Sequence, residues 1–364
     1  MDVFSDSRTV MTLDAGGTNF VFSALQSGKE IMEPVTLPAQ ADDLDRSLKN
    51  MIRGFQEVES QIDGRPDAIS FAFPGPSDYA SGVIGNLPNL SSYRGGVALG
   101  PMLEEQFGLP VFINNDGNLF TYGEAMGGLL PEVNRKLREN KIPKQYQNLL
   151  GITIGTGFGG GIVMNNNLCL GDNSAAGEIW LSRNYSNDKL FSEEGVSIRA
   201  IQRSYNEYAP ENSEVMTVRE IFQIARGEKK GNRDAAVKAF EDMAVVLGEA
   251  LANAVTLVDG LIVIGGGICG AYEFFLSKAV KHMNGKIEKK GGGKVPRLVS
   301  AVYNLENERS SKAFYQFETE KVSVPFSEKE VSHVPQKRLA VGITRLGTSK
   351  ATALGAYAYA LSQL

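Results

Sequence analysis

The chain is poor in the residues that build metal centres and disulfide frameworks. Its 364 residues include two cysteines, Cys169 and Cys269, and two histidines, His282 and His333. None of the four stands in a metal-ligand spacing such as C-x2-C, so a structural zinc site is not expected. So few cysteines in so long a chain fit a reducing compartment, and a cytoplasmic location is the expectation. Basic charge is not in surplus: 37 Lys and Arg against 42 Asp and Glu leave a net charge of −5. That gives no concentrated basic face, and nucleic acid is not an expected partner. No apolar run approaches the roughly 18 residues of a membrane span. Met1 to Ser7 is polar and acidic, without the basic-then-apolar pattern of a leader.

What is present is a globular composition with an excess of glycine. Apolar residues make up 42% of the chain, enough for a sizeable core, and the length suits two domains. Forty glycines cluster in turns beside strands, where positive φ or a close backbone approach is required.

The order of elements reads as α/β. Thr9 to Asp14 and Asn19 to Leu25 form a hairpin around Gly16-Gly17, with Glu30 to Thr36 as a third strand. Ala41 to Ile62 carries Leu44, Leu48, Met51, Ile52, Phe55 and Val58 in steps of three and four, an amphipathic helix. Ala68 to Phe73 is a strand, and Gly85-Asn86-Leu87-Pro88-Asn89 is an amide-rich loop. The strand Val111 to Ile113 runs into Asn114-Asn115-Asp116-Gly117-Asn118, and a helix leaves from there. Pro131 to Gln147 reads as a polar surface insertion. Leu149 to Thr153 and Gly161 to Met164 form a second hairpin across Gly155-Thr156-Gly157-Phe158-Gly159-Gly160. Three helices follow, at Ser197 to Tyr208, Thr217 to Ala225 and Asp234 to Leu257. Leu261 to Ile264 is a strand leading into Gly265-Gly266-Gly267-Ile268 and a helix ending near Met283. Asn284 to Arg345 is hard to read, with short alternating segments. Ser349 to Leu364 is a helix with a Gly and Ala face suited to close packing.

Several groups of residues carry chemistry. The Gly16 and Gly17 amides can converge on an anion without interference from a Cβ, with Thr18 and Asn19 adding side-chain donors. Asp14 can hold Mg²⁺ directly or through water, because Mg²⁺ keeps waters and takes few carboxylates. Gly155, Thr156 and Gly157 offer a second phosphate cradle, though neither turn is a P-loop. Asp116, at a strand end, can accept the proton of an attacking hydroxyl. Read alone, Asn115-Asp116-Gly117 is more often plain turn chemistry. Glu178 and Glu193 suit the hydroxyls of a polyol, yet isolated glutamates are usually solvated surface acids. Gly265-Gly266-Gly267-Ile268-Cys269-Gly270 formally satisfies the dinucleotide fingerprint, but no ribose-binding acid clearly follows it. A turn whose backbone approaches adenosine and the α-phosphate is the better reading of Gly265, Gly266 and Gly267.

Taken in order, Leu13 to Asn19, Asn114 to Asn118, Ile154 to Gly161, Gly177-Glu178-Ile179 and Val263 to Ile268 resemble the ROK family of bacterial sugar kinases and sugar-responsive repressors, within the actin-like ATPase superfamily. The resemblance implies an α/β fold of two actin-like (ribonuclease H-like) domains with a cleft between them. The first would comprise 1–117 with 346–364 and the second 118–345, with insertions at about 130–147 and 284–340. It implies ATP and Mg²⁺ as cofactors, a small sugar as partner, a homodimer and no membrane. Asp116 matches the catalytic base; Asn115, Glu178 and Glu193 match sugar ligands, and Asn86 and Asn89 are further substrate-binding candidates. Two departures stand out. The family's Gly-Glu-x-Gly-His places a zinc-binding histidine where this chain has Leu181, and no cysteine lies in 188–194. The repressors' N-terminal helix-turn-helix has no room before Asp14. The expectation is an ATP-dependent kinase acting on a hexose hydroxyl, the 6-OH by resemblance, of glucose or an N-acetylhexosamine. The alternative is a non-catalytic sugar sensor.

Overall fold

The computed structural model describes residues 2–75, 77–85, 92–210 and 216–364. In chain order the first elements are β1 (Thr9–Ala15), β2 (Asn19–Gln26), β3 (Lys29–Glu30), β4 (Val35–Pro38), α1 (Leu44–Glu59), β5 (Ala68–Ala72), β6 (Val83–Ile84), β7 (Val97–Ala98), α2 (Leu99–Phe107), β8 (Val111–Asn114) and α3 (Asp116–Gly127). Then come α4 (Leu129–Glu139), β9 (Leu149–Ile154), β10 (Phe158–Met164), β11 (Asn167–Leu168), α5 (Ile198–Tyr208), α6 (Val218–Arg226), α7 (Arg233–Val258), β12 (Leu261–Gly265) and α8 (Tyr272–Met283). The chain closes with β13 (Lys286–Glu288), β14 (Lys294–Pro296), β15 (Ala301–Asn304), α9 (Glu308–Phe314), β16 (Glu320–Ser323), β17 (Glu330–His333), β18 (Arg338–Ile343) and α10 (Thr348–Gln363).

These elements divide into two compact units. One comprises Met1–Gly128, Gly161–Gly177 and Arg345–Leu364; the other comprises Leu129–Gly160 and Glu178–Thr344.

The first unit is built on a sheet of order β3-β2-β1-β5-β8, with β4 also on β2. β1, β5 and β8 run parallel, and Ala72 of β5 is in register with both Asp14 and Asn114. The carboxyl ends of β1 and β8 therefore lie at the same edge, where open α/β sheets bind ligands. One face is closed by α1, which buries Met51, Phe55 and Val58 against Phe22 and Phe71. Phe22 and Phe55 meet edge-on at 5.1 Å between centroids. Asp43 starts α1 by accepting the Arg46 amide, and left-handed Gly108 stops α2. The Gly and Ala face of α10 packs on α3: a Cβ on Gly355 would overlap the Leu119 carbonyl, and one on Gly123 would overlap that of Ala351.

The second unit is built on the strands β9, β12, β18 and β15, hydrogen-bonded in that order. β12 pairs in parallel with both β9 and β18, so the turns after β9 and β12 emerge side by side, Gly265 being in register with Thr153. Long α7 packs against α5, α6 and α8. Its N-cap Asn232 accepts the Ala235 amide, and Thr217 with Glu220 forms a capping box on α6.

Some stretches differ from their sequence reading: Glu30 to Thr36, read as one strand, is divided between β3 and β4, with residues 31–34 in neither. Pro131 to Gln147 is polar overall, yet it carries most of α4, whose Val133 and Leu137 are buried with Tyr146. The Tyr146 hydroxyl donates to the Arg338 carbonyl at 2.7 Å. The apolar stripe is diluted by charged residues on the other face of a short helix, which hides it from a reading of composition. Within 284–340, β15 and the start of β18 are sheet strands, whereas β13–β14 and β16–β17 are separate two-stranded ribbons.

Candidate active site

In the first unit the site begins with the β1–β2 hairpin. The Gly16 amide donates to the Asn19 carbonyl at 3.1 Å, and the Ala39 amide donates to the Thr18 carbonyl at 2.9 Å. Gly16 is required by packing, since a Cβ there would stand 2.9 Å from the Asn19 oxygen. Gly17 is different: a Cβ would meet nothing within 4 Å, so its place is open. Thr18, Asn19 and Asp14 are exposed. Surrounding protein desolvates the Asp14 carboxyl and raises its pKa from the ordinary value. An exposed carboxylate beside two backbone turns fits Mg²⁺, which needs only one or two protein carboxylates when phosphates supply the rest. Among the described residues no cluster of three or more His, Cys, Asp or Glu could hold a metal by protein ligands alone.

At the end of β8, Asn114 turns inward, is 1% exposed, and accepts the Asn115 amide at 2.8 Å and the Asn118 side chain at 3.1 Å. Asn115 is the N-cap of α3, its Oδ1 accepting the Gly117 amide at 2.8 Å. That leaves its NH₂ as the group available to a ligand. Asp116 opens α3 and also accepts the Gly117 amide, at 2.9 Å. Its side chain keeps exposed surface. Even so, its pKa is raised. Desolvation is the largest cause and the Asp14 charge adds to it, while backbone hydrogen bonds at Gly117 and Asp116 act the other way. A carboxylate made more basic, presented at a strand end and still open on one side, has the properties of a general base.

In the second unit the β9–β10 hairpin is closed by the Gly155 amide donating to the Gly157 carbonyl at 3.0 Å. Its glycines have distinct duties. Gly155 is open, whereas a Cβ on Gly157 would stand 2.8 Å from Glu193 Oε2. Gly161 belongs to the first unit and lies against the first turn of α3, where a Cβ would be 2.5 Å from the Gly117 carbonyl oxygen. The run of glycines thus reflects packing as much as ligand access. Thr156 is exposed at the tip. After β12, Gly266 adopts φ +90° and crowds the Ile154 backbone, a place only glycine can fill. Gly267 beside it is open. The helix does not start there: a short turn at Cys269–Ala271 precedes α8. We expect Gly267→Ala to leave the melting temperature nearly unchanged and, if this turn approaches a nucleotide as the sequence reading expects, to weaken binding about tenfold through the methyl it adds to that approach. Calorimetric titration of an ATP analogue beside a thermal melt checks this.

Glu178 is half-buried and accepts the indole N–H of Trp180. Glu193 accepts the Phe158 amide at 3.0 Å through Oε2 and pairs with Arg199 at 3.0 Å through Oε1. Leu181, at the position of the expected histidine, is 60% exposed. Asn86 and Asn89 lie outside the described residues.

Sequence reasoning missed the residues that hold the segment from Glu178 to Glu193. Asn184 is 4% exposed. Its Oδ1 accepts the Ser186 amide at 2.9 Å and its NH₂ donates to the Phe191 carbonyl at 3.4 Å. Ser182 donates to Ser192 at 2.9 Å. An Asn two residues before another polar residue was the only local signal, and it is common to many turns.

The model of the ROK family matches residues 10–305. Among curated proteins, an N-acetyl-D-glucosamine kinase of Photobacterium profundum is 26% identical over 79% of this chain and 92% of its own length. A glucokinase of Halalkalibacterium halodurans is 28% identical over 76% of this chain and 85% of its own. Among solved structures, a glucokinase from Parabacteroides distasonis superposes with a TM-score of 0.91 at 50% identity, over 100% of both chains.

Proposed function

This chain belongs to the ROK family, and from that premise we propose that it is an ATP-dependent kinase that phosphorylates a hexose hydroxyl. The observation that carries the reading is Asp116: an open carboxylate of raised basicity at the carboxyl end of β8, next to Asp14 at the end of β1. Asp116 takes the proton of the attacking hydroxyl as the oxygen bonds to the γ-phosphorus of ATP and the bond to the β–γ bridging oxygen breaks, leaving ADP. Asn115 and Glu178 orient the sugar, with Glu193 as a third sugar-binding carboxylate. Asn86 and Asn89 remain candidates for further sugar contacts. The Gly17 amide, the Thr18 and Thr156 hydroxyls and the Asn19 side-chain amide hold phosphate oxygens, while the Gly16 and Gly155 amides, expected from the sequence to do so as well, are spent closing the two hairpins. Gly265, Gly266 and Gly267 line the approach to the nucleoside. Mg²⁺ on Asp14, directly or through water, would neutralise charge developing on the phosphates. We take the protein to work as a cytoplasmic homodimer.

The 50% identity to a protein named glucokinase makes glucose the first substrate to try, and the N-acetylglucosamine kinases among the relatives make acetamido sugars the second. An ADP-release assay over a panel of hexoses and acetamido-hexoses tests the proposal. Turnover on at least one of them is the expected result. A flat response across the panel, with sugar still bound, would instead support the sensor reading.

A further inference from the structure

Glu178 and Glu193 enter the proposed function as two sugar-facing carboxylates, but their surroundings differ in kind. Trp180, the single tryptophan of the chain, donates its indole N–H to the Glu178 carboxylate. Its ring meets Phe191 edge-on, with 5.7 Å between centroids and 83° between planes. Phe191 leads directly into the turn Ser192–Glu194, anchored by Ser192, which is wholly buried. The next residue, Glu193, has both carboxylate oxygens engaged: one by the Phe158 amide at 3.0 Å, the other by Arg199 at 3.0 Å. Phe158 is the first residue of β10, directly after the Gly155-Thr156-Gly157 turn. Gly157 has no side chain to keep Glu193 away. A chain of contacts within one unit therefore runs from the carboxylate assigned to sugar to the hairpin assigned to phosphate.

We propose that Trp180, Phe191 and Glu193 form a brace through which the sugar-binding segment sets the shape of the phosphate-binding hairpin. Trp180 positions Glu178 by occupying one of its acceptor sites and fixing the plane of the carboxylate. Glu193 is a positioning residue for the hairpin: its charge-assisted bond holds the Phe158 amide, and with it the Gly155 to Gly157 turn. Within the segment between Glu178 and Glu193, Asn184, Ser182 and Ser192 supply internal hydrogen bonds that hold its shape. The inference rests on the kinase reading for the identity of the two ligands. The contacts themselves do not depend on it.

The test is calorimetric titration of a non-hydrolysable ATP analogue into the sugar-free protein, for wild type, Glu193→Ala and Glu193→Gln. Glu193→Ala should weaken the analogue about tenfold, the loss expected for one charge-assisted hydrogen bond. Glu193→Gln keeps an acceptor for the Phe158 amide and should stay within about threefold of wild type. Circular dichroism melts establish that both variants are folded. A parallel kinetic arm uses Trp180→Phe, which keeps the ring contact with Phe191 and removes the N–H. It should raise the KM for sugar several-fold with kcat changed little, as for lost ground-state orientation. Unchanged analogue affinity in Glu193→Ala overturns the brace and leaves Glu193 a sugar ligand only. Equal losses in Ala and Gln assign the effect to the Arg199 ion pair and overturn the amide link. If wild type turns over no sugar while Glu193→Ala still weakens the analogue, the brace stands and the kinase reading falls. If wild type is active and the analogue affinity is indifferent to residue 193, the reverse holds.

Discussion

Replacing Asp116 with Asn should lower kcat by about 10²–10⁴-fold, the usual worth of a positioned general base, while sugar binding measured by calorimetry is retained. The same substitution should raise the melting temperature. Desolvation and the Asp14 charge both work against the ionised form of Asp116, and the backbone bonds at Gly117 and Asp116 offset them only in part. The sign of the pH effect follows. A carboxyl whose folded-state pKa lies above its unfolded value contributes stability below the unfolded value and loses it as pH rises through the folded one. The charged group is therefore a burden at neutral pH, and Asn removes it. The gain of Asp116→Asn over wild type should be largest near pH 7 and vanish below about pH 4, where the carboxyl is protonated in both states. For wild type, kcat/KM should rise with pH along a limb set by the same group, displaced upward from the ordinary carboxylate range. A variant that loses activity and stability together would show that Asp116 is a structural cap. Retained turnover would remove it as the base.

The largest effect on folding is expected at the crossing of α3 and α10. A Cβ on Gly355 would overlap the Leu119 carbonyl oxygen and lie near the Gly123 backbone. Alanine there gains about 1 kcal/mol of helix propensity over glycine. Overpacking costs about 1–3 kcal/mol and occasionally more, and here the obstacle is helical backbone, which cannot rotate aside as a side chain does. The clash wins, and Gly355→Ala should lose about 2 kcal/mol, a fall of several degrees in melting temperature. Gly355→Leu should yield no folded protein. Thermal and urea unfolding of Gly355→Ala beside Gly267→Ala, where a methyl meets nothing within 4 Å, separates the packing effect from a general effect of losing glycine. If the two variants melt alike, the close crossing is not what α10 contributes.

Both predictions bear on how much could be read from the chain. The hairpin at Gly16, the strand into Asp116, the hairpin at Gly155 and the turn at Gly265 were legible because each is a short strand followed by turn residues, a local pattern. Helices α1, α5, α6 and α7 were legible as helical segments, and the structure adds their caps Asp43, Ser197, Thr217 and Asn232. The helix α4 was not, since its apolar stripe is short and set among charges. The neighbours of β18 were not legible either: it lies between β12 and β15, far from the first in sequence, and a parallel pairing leaves no mark on either strand alone. At the candidate site the turns were readable from the sequence and the engagements of their side chains were not. Nothing local says that Asn115 spends its oxygen on the Gly117 amide, or that Glu193 holds Phe158 from 35 residues away.

The sequence by itself determined the class of fold, the family resemblance and the set of carboxylates, amides and glycine turns from which phosphoryl-transfer chemistry is made. The α/β reading and the turns follow from composition, periodicity and turn chemistry, which act over a few residues, and the family resemblance follows from five motifs in their order along the chain. Only the tertiary structure decided which glycines are open to a ligand and which are packed, and how burial and a neighbouring charge make Asp116 more basic. It also decided that Glu178 and Glu193 differ in what they hold. Those properties depend on atoms brought together from distant parts of the chain, where desolvation, Coulomb interaction and steric overlap are set by distance in space.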